Sequence, residues 1–220
     1  MQHNILHAID AILFDMDGTL VDSTAAVERS WTRWAQRHGL SAAYVISLCH
    51  GRRAADTIAE VAPHLPLDEE AAALLAYELE QTEGLFAVPG AAALLARLEP
   101  TRWALVTSAT EELARHRFAC AGLPWPQVAV TAEQVRRGKP DPEGYLLAAT
   151  HLGCAPARCL VVEDTRAGLE AGERAGMRVL GVTTTFSADV LRVAHVVPHF
   201  EDVAVRGDDS LSLHLAAVTS

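Results

Sequence analysis

Short runs of apolar residues recur along the chain, and each is apolar at consecutive positions rather than at every second one. Such runs predict strands that are buried on both faces, as in a parallel sheet. The predicted strands are residues 8–14, 103–107, 128–131, 159–162 and 178–182. The polar residues that follow these runs therefore mark the strand ends.

Helical patterns fill most of the segments between these runs. The predicted helices are residues 91–98, residues 111–121, the segment opened by Asp141 and Pro142, and residues 165–175. Strands that alternate with helices predict an α/β fold, a doubly wound parallel sheet with helices on both faces. Ligands of such sheets bind beyond the carboxyl ends of the strands. The tail after Val203 shows no clear pattern.

Residues 23–84 interrupt this alternation, because they contain helical patterns and no good strand. The predicted helices of this block are residues 25–38, 54–61 and 68–83. The block directly follows the first predicted strand, so we expect it to lie over the carboxyl edge of the sheet. We therefore predict a core of residues 1–21 and 85–220 with an inserted helical domain of residues 22–84.

Charge and composition limit the cellular locations and the binding partners that are expected for this protein. The 220-residue chain carries a formal net charge of −10, which disfavours binding to nucleic acid and to anionic membranes. It shows no basic leader and no apolar run of membrane-spanning length, so a cytoplasmic protein is expected, and we expect a monomer. The four cysteines form no CxxC pair and are predicted to be small buried residues rather than zinc ligands or disulfides.

The basic residues are unevenly divided, with seventeen arginines and a single lysine, Lys139. A lone lysine invites a functional interpretation. Composition alone leaves chance retention as an equal alternative.

Two acids, Asp15 and Asp17, follow the first predicted strand, and Gly18 lets the backbone turn away after them. Two carboxylates in one place can serve two roles in phosphoryl transfer. One attacks phosphorus to form an aspartyl phosphate, and the other protonates the leaving alkoxide and later deprotonates the attacking water. We assign the attack to Asp15 and the proton transfers to Asp17. Taken alone, such a pair more often caps a turn and its following helix.

The segment around these acids, FDMDGTLVDS at residues 14–23, resembles the first signature motif of the haloacid dehalogenase superfamily of phosphatases. Three later segments resemble the remaining motifs in the expected order. They are residues 106–108, residues 137–142 and residues 161–168. The resemblance extends from residue 9 to about residue 186 and implies a Rossmann-like core with an inserted small helical cap.

The resemblance also implies roles for the residues in these segments. Thr107 and Ser108 are the expected phosphate-binding hydroxyls at a strand end. Lys139 falls at the position of the phosphate-binding lysine, where it would neutralise phosphoryl oxygens and hold the nucleophile in register. Chance retention of the lone lysine is therefore no longer an equal alternative.

Glu163 and Asp164 would add to the negative charge of Asp15 and Asp17 at a place where a phosphate dianion has to bind. A cation makes this tolerable, and hard oxygen ligands favour Mg²⁺ over softer metals. The resemblance implies the Asp15 carboxylate, the Asp17 backbone carbonyl and the Asp164 carboxylate as ligands. Glu163 is expected to support the metal, either directly or through water.

Residues 50–57 of the predicted cap resemble a segment of sugar phosphatases and glycerol phosphatases of this superfamily. The resemblance implies an Mg²⁺-dependent phosphatase acting through an aspartyl phosphate on a small phosphorylated sugar or polyol. Hexose, deoxyhexose, hexitol and glycerol phosphates all fit, and the sequence does not choose among them. Arg52 and His50 are candidate specificity residues, although a helix-start arginine and one of ten histidines are also ordinary features.

Other activities of the superfamily use nearly the same scaffold. A haloacid dehalogenase does not need Asp17, and a phosphonate hydrolase needs a cap lysine that is missing here. A β-phosphoglucomutase shares all four motifs and is the main alternative, but it typically carries a histidine near the position of Val27. A catalytically silent binding protein of the same fold would usually have lost a motif carboxylate or the lysine, and all are retained.

Overall fold

The computed structural model describes residues 4–207 and 210–215. Its strands are β1 (Asn4–Ile9), β2 (Ala11–Phe14), β3 (Val21–Asp22), β4 (Phe86–Ala87), β5 (Trp103–Val106), β6 (Ala129–Val130), β7 (Cys159–Glu163), β8 (Arg178–Val182), β9 (Val196–Val197), β10 (Val203–Arg206) and β11 (Leu211–Leu215). Its helices are α1 (Thr24–Arg37), α2 (Ala42–Cys49), α3 (Ala54–Val61), α4 (Leu67–Leu79), α5 (Ala91–Leu95), α6 (Glu111–Ala121), α7 (Glu143–Leu152), α8 (Arg166–Arg174) and α9 (Ala188–Leu191).

A parallel six-stranded sheet with the order β6-β5-β2-β7-β8-β9 forms the core. Successive residues of β2 face opposite sides, and both sides are buried. Ile12 and Phe14 pack into an apolar cluster with residues of α5 and α6, whereas Ala11 and Leu13 pack into a second cluster with residues of α7 and α8. The α/β doubly wound fold predicted from the sequence is confirmed.

The first predicted strand, residues 8–14, is divided between two sheets. Asp10 separates β1 from β2, and its N–H donates to the carbonyl of Arg158 at 2.8 Å instead of continuing a strand. Ala8 has φ of 56°, a left-handed conformation that bends β1 before this break. The apolar run therefore contains the end of one strand and the whole of another.

The tail, which could not be interpreted from its sequence, pairs with the start of the described chain. Strands β10, β11 and β1 form an antiparallel sheet in which β11 is central. Leu211, Leu213 and Leu215 are buried, and Ser212 and His214 between them are partly exposed. This alternation is the pattern of a strand with one buried face.

Four helices, α1 to α4, lie between β3 and β4, and we call residues 24–79 the cap. They pack around an apolar cluster of their own that includes Trp31, Trp34, Ile58 and Leu74. The antiparallel pair β3–β4 joins the two ends of this block next to the core. In the described part of the chain, no helix is long and apolar enough to cross a membrane.

Two details of the cap differ from the sequence prediction. Helix α2 was not predicted, because it is almost entirely apolar and shows no polar face; Ser41 Oγ caps it by accepting from Tyr44 N–H at 3.4 Å. Helix α4 ends at Leu79 rather than at residue 83.

None of the four cysteines forms a disulfide. Cys49 and Cys159 are buried and Cys154 is partly buried, as expected for small apolar residues. Cys120 is exposed on α6, so the prediction of burial is wrong for this residue. It lies on the solvent face of a helix whose opposite face packs against the core.

Candidate active site

Polar residues follow three neighbouring strands of the core sheet. Asp15 follows β2, Thr107 follows β5 and Asp164 follows β7, and β2 is the middle one of the three. Parallel strands end at one edge, so these side chains meet there. Carboxylate oxygens of Asp15, Glu163 and Asp164 lie within 4.8 Å of one another.

Gly18 makes this close approach possible. Its φ is 78°, and a Cβ added there would lie 2.0 Å from Asp164 Oδ2. A side chain at this position would therefore displace the Asp164 carboxylate, in addition to straining the backbone.

Lys139 reaches the same cluster from the segment that precedes α7. Its ammonium donates to Asp15 Oδ1, to Glu163 Oε1 at 2.6 Å and to the Val106 carbonyl at 3.1 Å. Burial alone would lower the pKa of Lys139, but the carboxylates of Asp15 and Glu163 raise it above its usual value. The lysine is therefore a permanent cation beside the proposed nucleophile.

Glu163 uses both carboxylate oxygens within the protein. Oε1 accepts from Lys139 and from Tyr145 Oη at 3.0 Å, and Oε2 accepts from Thr165 Oγ1 at 2.9 Å and from the N–H groups of Asp164 and Thr165, each at 3.1 Å. These contacts favour a role in holding Lys139 and the loop after β7. A direct bond to a metal would compete with them.

Asp164 is less fully satisfied. Its Oδ1 accepts from Thr19 Oγ1 at 3.2 Å, whereas the buried Oδ2 has no hydrogen-bond partner among the described residues. Burial, together with the charges of Glu163 and Asp15, raises the pKa of Asp164 well above its usual value. A buried acceptor without a donor, beside other carboxylates, fits a site that a cation completes.

The charges around Asp15 also favour a site that a cation completes. Burial raises the pKa of Asp15 to about 8; the carboxylates of Glu163 and Asp17 act in the same direction, and Lys139 opposes them. One ammonium does not balance this many buried carboxylates. A divalent cation would favour their ionised forms.

The side chain of Asp17 contacts Ser23 and helix α6 instead of the carboxylate cluster. Ser23 Oγ donates to its Oδ1 at 2.6 Å, and Arg117 Nη1 lies 2.6 Å from its Oδ2. Asp15 and Asp17 thus stand in different surroundings, as their two predicted roles require.

Arg117 was not among the residues predicted from the sequence. It lies in α6, where Leu113, Ala114 and Phe118 form the buried face, and it occupies that same face. An arginine on the apolar face of a predicted helix was the signal that could have identified it.

The two predicted phosphate-binding hydroxyls point in different directions. Thr107 Oγ1 accepts from the N–H of Ala109 at 3.0 Å and lines the cleft between core and cap. Ser108 Oγ donates to the Gly51 carbonyl of the cap at 2.9 Å. Ser108 lines the cleft as well, but its hydroxyl proton is donated to the cap. Thr107 only accepts in its contact with Ala109, so its hydroxyl is the better placed of the two to donate to a phosphate.

The cleft has a volume of about 590 Å³, and both halves of the molecule line it. Asp15, Asp17 and Arg117 lie on the core side. The candidate specificity residues His50 and Arg52 lie on the cap side.

His50 is mostly enclosed. Its ring packs edge-on against Phe186 with centroids 6.0 Å apart, and Nε2 is 4.0 Å from Glu28 Oε1. Burial lowers the pKa of His50, although Glu28 and Asp17 act in the opposite direction. A neutral imidazole can both donate and accept hydrogen bonds, which suits recognition of a hydroxyl.

Arg52 and Arg53 serve different contacts. Arg52 pairs with Glu60 at 2.7 Å on the cleft side of the cap. Arg53, which was not predicted as a site residue, donates two hydrogen bonds of 2.7 and 2.8 Å to Asp56. Its Nη1 also donates to the carbonyls of Val135 and Arg136 in the core at 3.3 and 3.1 Å. Arg53 thus fastens the cap to the segment that leads to Lys139.

The sequence family described as haloacid dehalogenase-like hydrolase matches residues 9–176, which include the strand ends and all the carboxylates described above. The chain belongs to this family. The family membership predicted from the four motifs is confirmed.

Named relatives of this haloacid dehalogenase-like hydrolase are phosphatases. Hexitol phosphatase A of Escherichia coli strain K12 is 45% identical over 192 residues, covering 85% of this chain and 89% of the relative. Glycerol-1-phosphate phosphohydrolase 2 of Saccharomyces cerevisiae is 34% identical over 214 residues, covering 90% and 86%. The crystal structure of CbbY from Rhodobacter sphaeroides in complex with phosphate superposes with a TM-score of 0.76 at 25% identity, covering 87% of this chain and 95% of that one.

Proposed function

We propose that this hydrolase is a phosphatase that acts on a small phosphorylated sugar or polyol. The observation that carries the proposal is the arrangement around Asp15, which lies at a strand end in contact with Lys139 while Asp17 faces the cleft. The named phosphatase relatives support the same reaction class.

The reaction proceeds through two displacements at phosphorus. An Asp15 oxygen attacks, the bond from phosphorus to the ester oxygen breaks, and that oxygen takes a proton from Asp17 as the alcohol leaves. Asp17 then removes a proton from a water molecule, whose oxygen attacks phosphorus and releases phosphate from Asp15. Lys139 and Thr107 hold the phosphoryl oxygens, and Glu163 holds Lys139.

Mg²⁺ is the proposed cofactor, held by carboxylate oxygens of Asp15 and Asp164 and by the backbone carbonyl of Asp17. The unpartnered Asp164 Oδ2 and the excess of buried carboxylates support this assignment. When bound, the ion neutralises charge on the phosphoryl group and on the carboxylates. Glu163 supports the site through its contacts with Lys139 and with the backbone of Asp164.

Metal binding is testable without an activity assay. Saturation at about 100 times Kd should stabilise the wild type by about 2.7 kcal/mol, or roughly 5 to 10 °C in Tm for a chain of this size. The gain should be larger above pH 8 than below it, because Mg²⁺ has to displace a proton below the raised pKa of Asp15, about 8. Asp164→Asn should lose most of the Mg²⁺-induced shift in Tm, measured by calorimetry.

The control for this experiment is Asp68→Asn, which removes an exposed carboxylate from the first turn of α4. It should keep the full Mg²⁺-induced shift in Tm. An equal shift in wild type and Asp164→Asn would remove Asp164 from the metal site.

Two alternatives are less well supported. A β-phosphoglucomutase typically carries a histidine near the position of Val27, but Val27 is an apolar residue of α1 at the cleft. A silent binding protein has no need for a lysine buried between two carboxylates beside the proposed nucleophile.

The proposed activity is tested by release of inorganic phosphate, measured with and without Mg²⁺ on glycerol, hexitol, hexose and deoxyhexose phosphates. The same measurements rank these esters as substrates. No release from any of these esters would contradict the proposal.

We further propose that the enzyme works as a cytoplasmic monomer and binds neither nucleic acid nor membranes. The four free cysteines fit a reducing compartment, and the net charge of −10 opposes binding to polyanions. Light scattering after size exclusion tests the monomer directly.

Arg52 is the proposed contact to the alcohol part of the substrate. Arg52→Ala should lower kcat/KM for the best sugar or polyol phosphate by about 10- to 100-fold, or about 1.4 to 2.8 kcal/mol, because binding of the non-reacting part contributes to orientation. Hydrolysis of p-nitrophenyl phosphate, whose leaving group lacks these hydroxyls, should be spared.

The matched control is Arg33→Ala. Arg33 is also a cap arginine paired with a glutamate, Glu80, but it does not line the cleft. Equal losses on both esters would place Arg52 in general phosphate binding or in folding, and unchanged activity on both would make it an ordinary surface arginine.

A further inference from the structure

Asp17 is held on both of its carboxylate oxygens, and one of the two partners is a buried arginine. Arg117 Nη1 contacts Oδ2 at 2.6 Å, and Ser23 Oγ donates to Oδ1 at 2.6 Å. The side chain of Arg117 is only 4% exposed. Removing a guanidinium from water is costly unless carboxylates surround it, so this position calls for a specific partner set.

The second partner of Arg117 is Glu78, the penultimate residue of α4. Arg117 Nη2 donates to Glu78 Oε1 at 2.8 Å, and the Glu78 side chain is 9% exposed. The guanidinium is planar, so fixing one of its amino groups on Glu78 fixes the direction of the other. Glu78 therefore determines where Arg117 meets Asp17.

Glu78 lies at the end of the cap that is joined to the core. Three residues later the carbonyl of Gln81 is 2.7 Å from His116 Nε2 on α6, and the Gln81 side chain accepts from Arg29 Nε at 2.9 Å. Neighbouring residues of α6, His116 and Arg117, thus fix both the linker and the last turn of the cap. These contacts hold this end of α4 next to α6 and Asp17.

We propose that Glu78 and Arg117 are positioning residues that aim the Asp17 carboxylate at the leaving oxygen, a role that rests on the proposed phosphatase function. Neither residue exchanges a proton with the substrate. Each Asp17 oxygen has one contact, which leaves lone pairs for the transferred proton. Because proton transfer depends steeply on geometry, a loosened Asp17 slows the departure of a poor leaving group and affects a good one little.

The test compares kcat/KM for two esters, sorbitol 6-phosphate with an alkoxide leaving group and p-nitrophenyl phosphate with a stable phenolate. The variant Arg117→Met with Glu78→Gln removes the ion pair without leaving a buried charge unpaired. It should lose about 10- to 100-fold on sorbitol 6-phosphate and less than about threefold on p-nitrophenyl phosphate. Glu78→Gln alone should lose less kcat/KM than the double variant, again mainly on sorbitol 6-phosphate. Arg117→Lys, which keeps a cation at this position, should also lose less than the double variant.

Arg115→Met provides the matched control, because Arg115 lies on the same helix but is exposed and paired with Glu111. Its activity on both esters should be that of wild type. Equal losses on the two esters in the Arg117 and Glu78 variants, with melting temperatures preserved, would overturn the positioning role, as would variants that match Arg115→Met. A wild type that hydrolyses neither p-nitrophenyl phosphate nor any of the glycerol, hexitol, hexose and deoxyhexose phosphates would instead refute the phosphatase function itself, and the inference with it.

Discussion

Asp15→Asn is expected to abolish turnover and to leave the fold intact. The amide has no anionic oxygen to attack phosphorus, and uncatalysed phosphate monoester hydrolysis needs acceleration of up to ~10²¹-fold, so little activity can survive without the nucleophile. We expect phosphate release at least about 10⁴-fold below wild type, with the far-UV circular dichroism spectrum preserved.

The fold should tolerate a neutral side chain at position 15, because Asp15 is buried among other carboxylates that repel its charge. Its pKa is raised to about 8, so its ionised form is the disfavoured one in the metal-free protein. Between its usual pKa and about 8, Asp15 keeps its proton in the folded state and loses it in the unfolded state. The free energy of unfolding of the metal-free protein therefore falls as pH rises through that range, which is the cost of the ionisable group. A neutral isostere avoids this cost, and Tm of Asp15→Asn should exceed that of metal-free wild type above pH 8.

Asp10→Asn is the control on the same segment of chain. Asp10 precedes β2 at its opposite end and pairs with Arg158 on the surface. Its substitution should leave turnover within about twofold of wild type, as expected for a surface ion pair. Turnover of Asp15→Asn within about tenfold of wild type would exclude Asp15 as the nucleophile.

The meeting of Asp15, Thr107 and Asp164 could be predicted from the sequence, because a single topological rule governs it. Each follows an apolar run, and the carboxyl ends of neighbouring parallel strands share one edge. A common site for these three residues could be expected without knowing the order of the strands in the core sheet. The tail could not be placed in the same way. The alternation of residues 211–215 is typical of a strand but does not indicate its partner, and that partner, β1, lies at the other end of the described chain.

The contacts of the cap lie beyond what local pattern can predict. Arg52 and Arg53 are neighbours of identical type, and each pairs with an acid of the cap, yet only Arg53 is also seen to donate to core carbonyls. The direction of the chain where α3 begins determines which of the two arginines reaches the core. The partners of Arg117 lie on segments far apart in sequence, which only the folded structure brings together.

Asp17→Asn should cost roughly 10²- to 10⁴-fold on an alkyl phosphate, the range expected for loss of a general acid and base. Asparagine keeps the size of the side chain and an acceptor for Ser23 Oγ, so the backbone turn at Gly18 should be retained. Asp22→Asn, an exposed carboxylate on β3, is the control and should behave as wild type.

The two roles of Asp17 can be separated with p-nitrophenyl phosphate. Its phenolate leaves without a proton, so the first step should be nearly normal in Asp17→Asn. Hydrolysis of the aspartyl phosphate still needs a base, because the attacking water has to lose a proton in the second step. The variant should therefore release one equivalent of p-nitrophenolate per enzyme in a rapid burst and then turn over slowly, with the phosphorylated protein detectable by mass spectrometry. A first step slowed equally for the aryl and the alkyl ester would exclude Asp17 as the general acid, and a fast steady state after the first turnover would exclude it as the base.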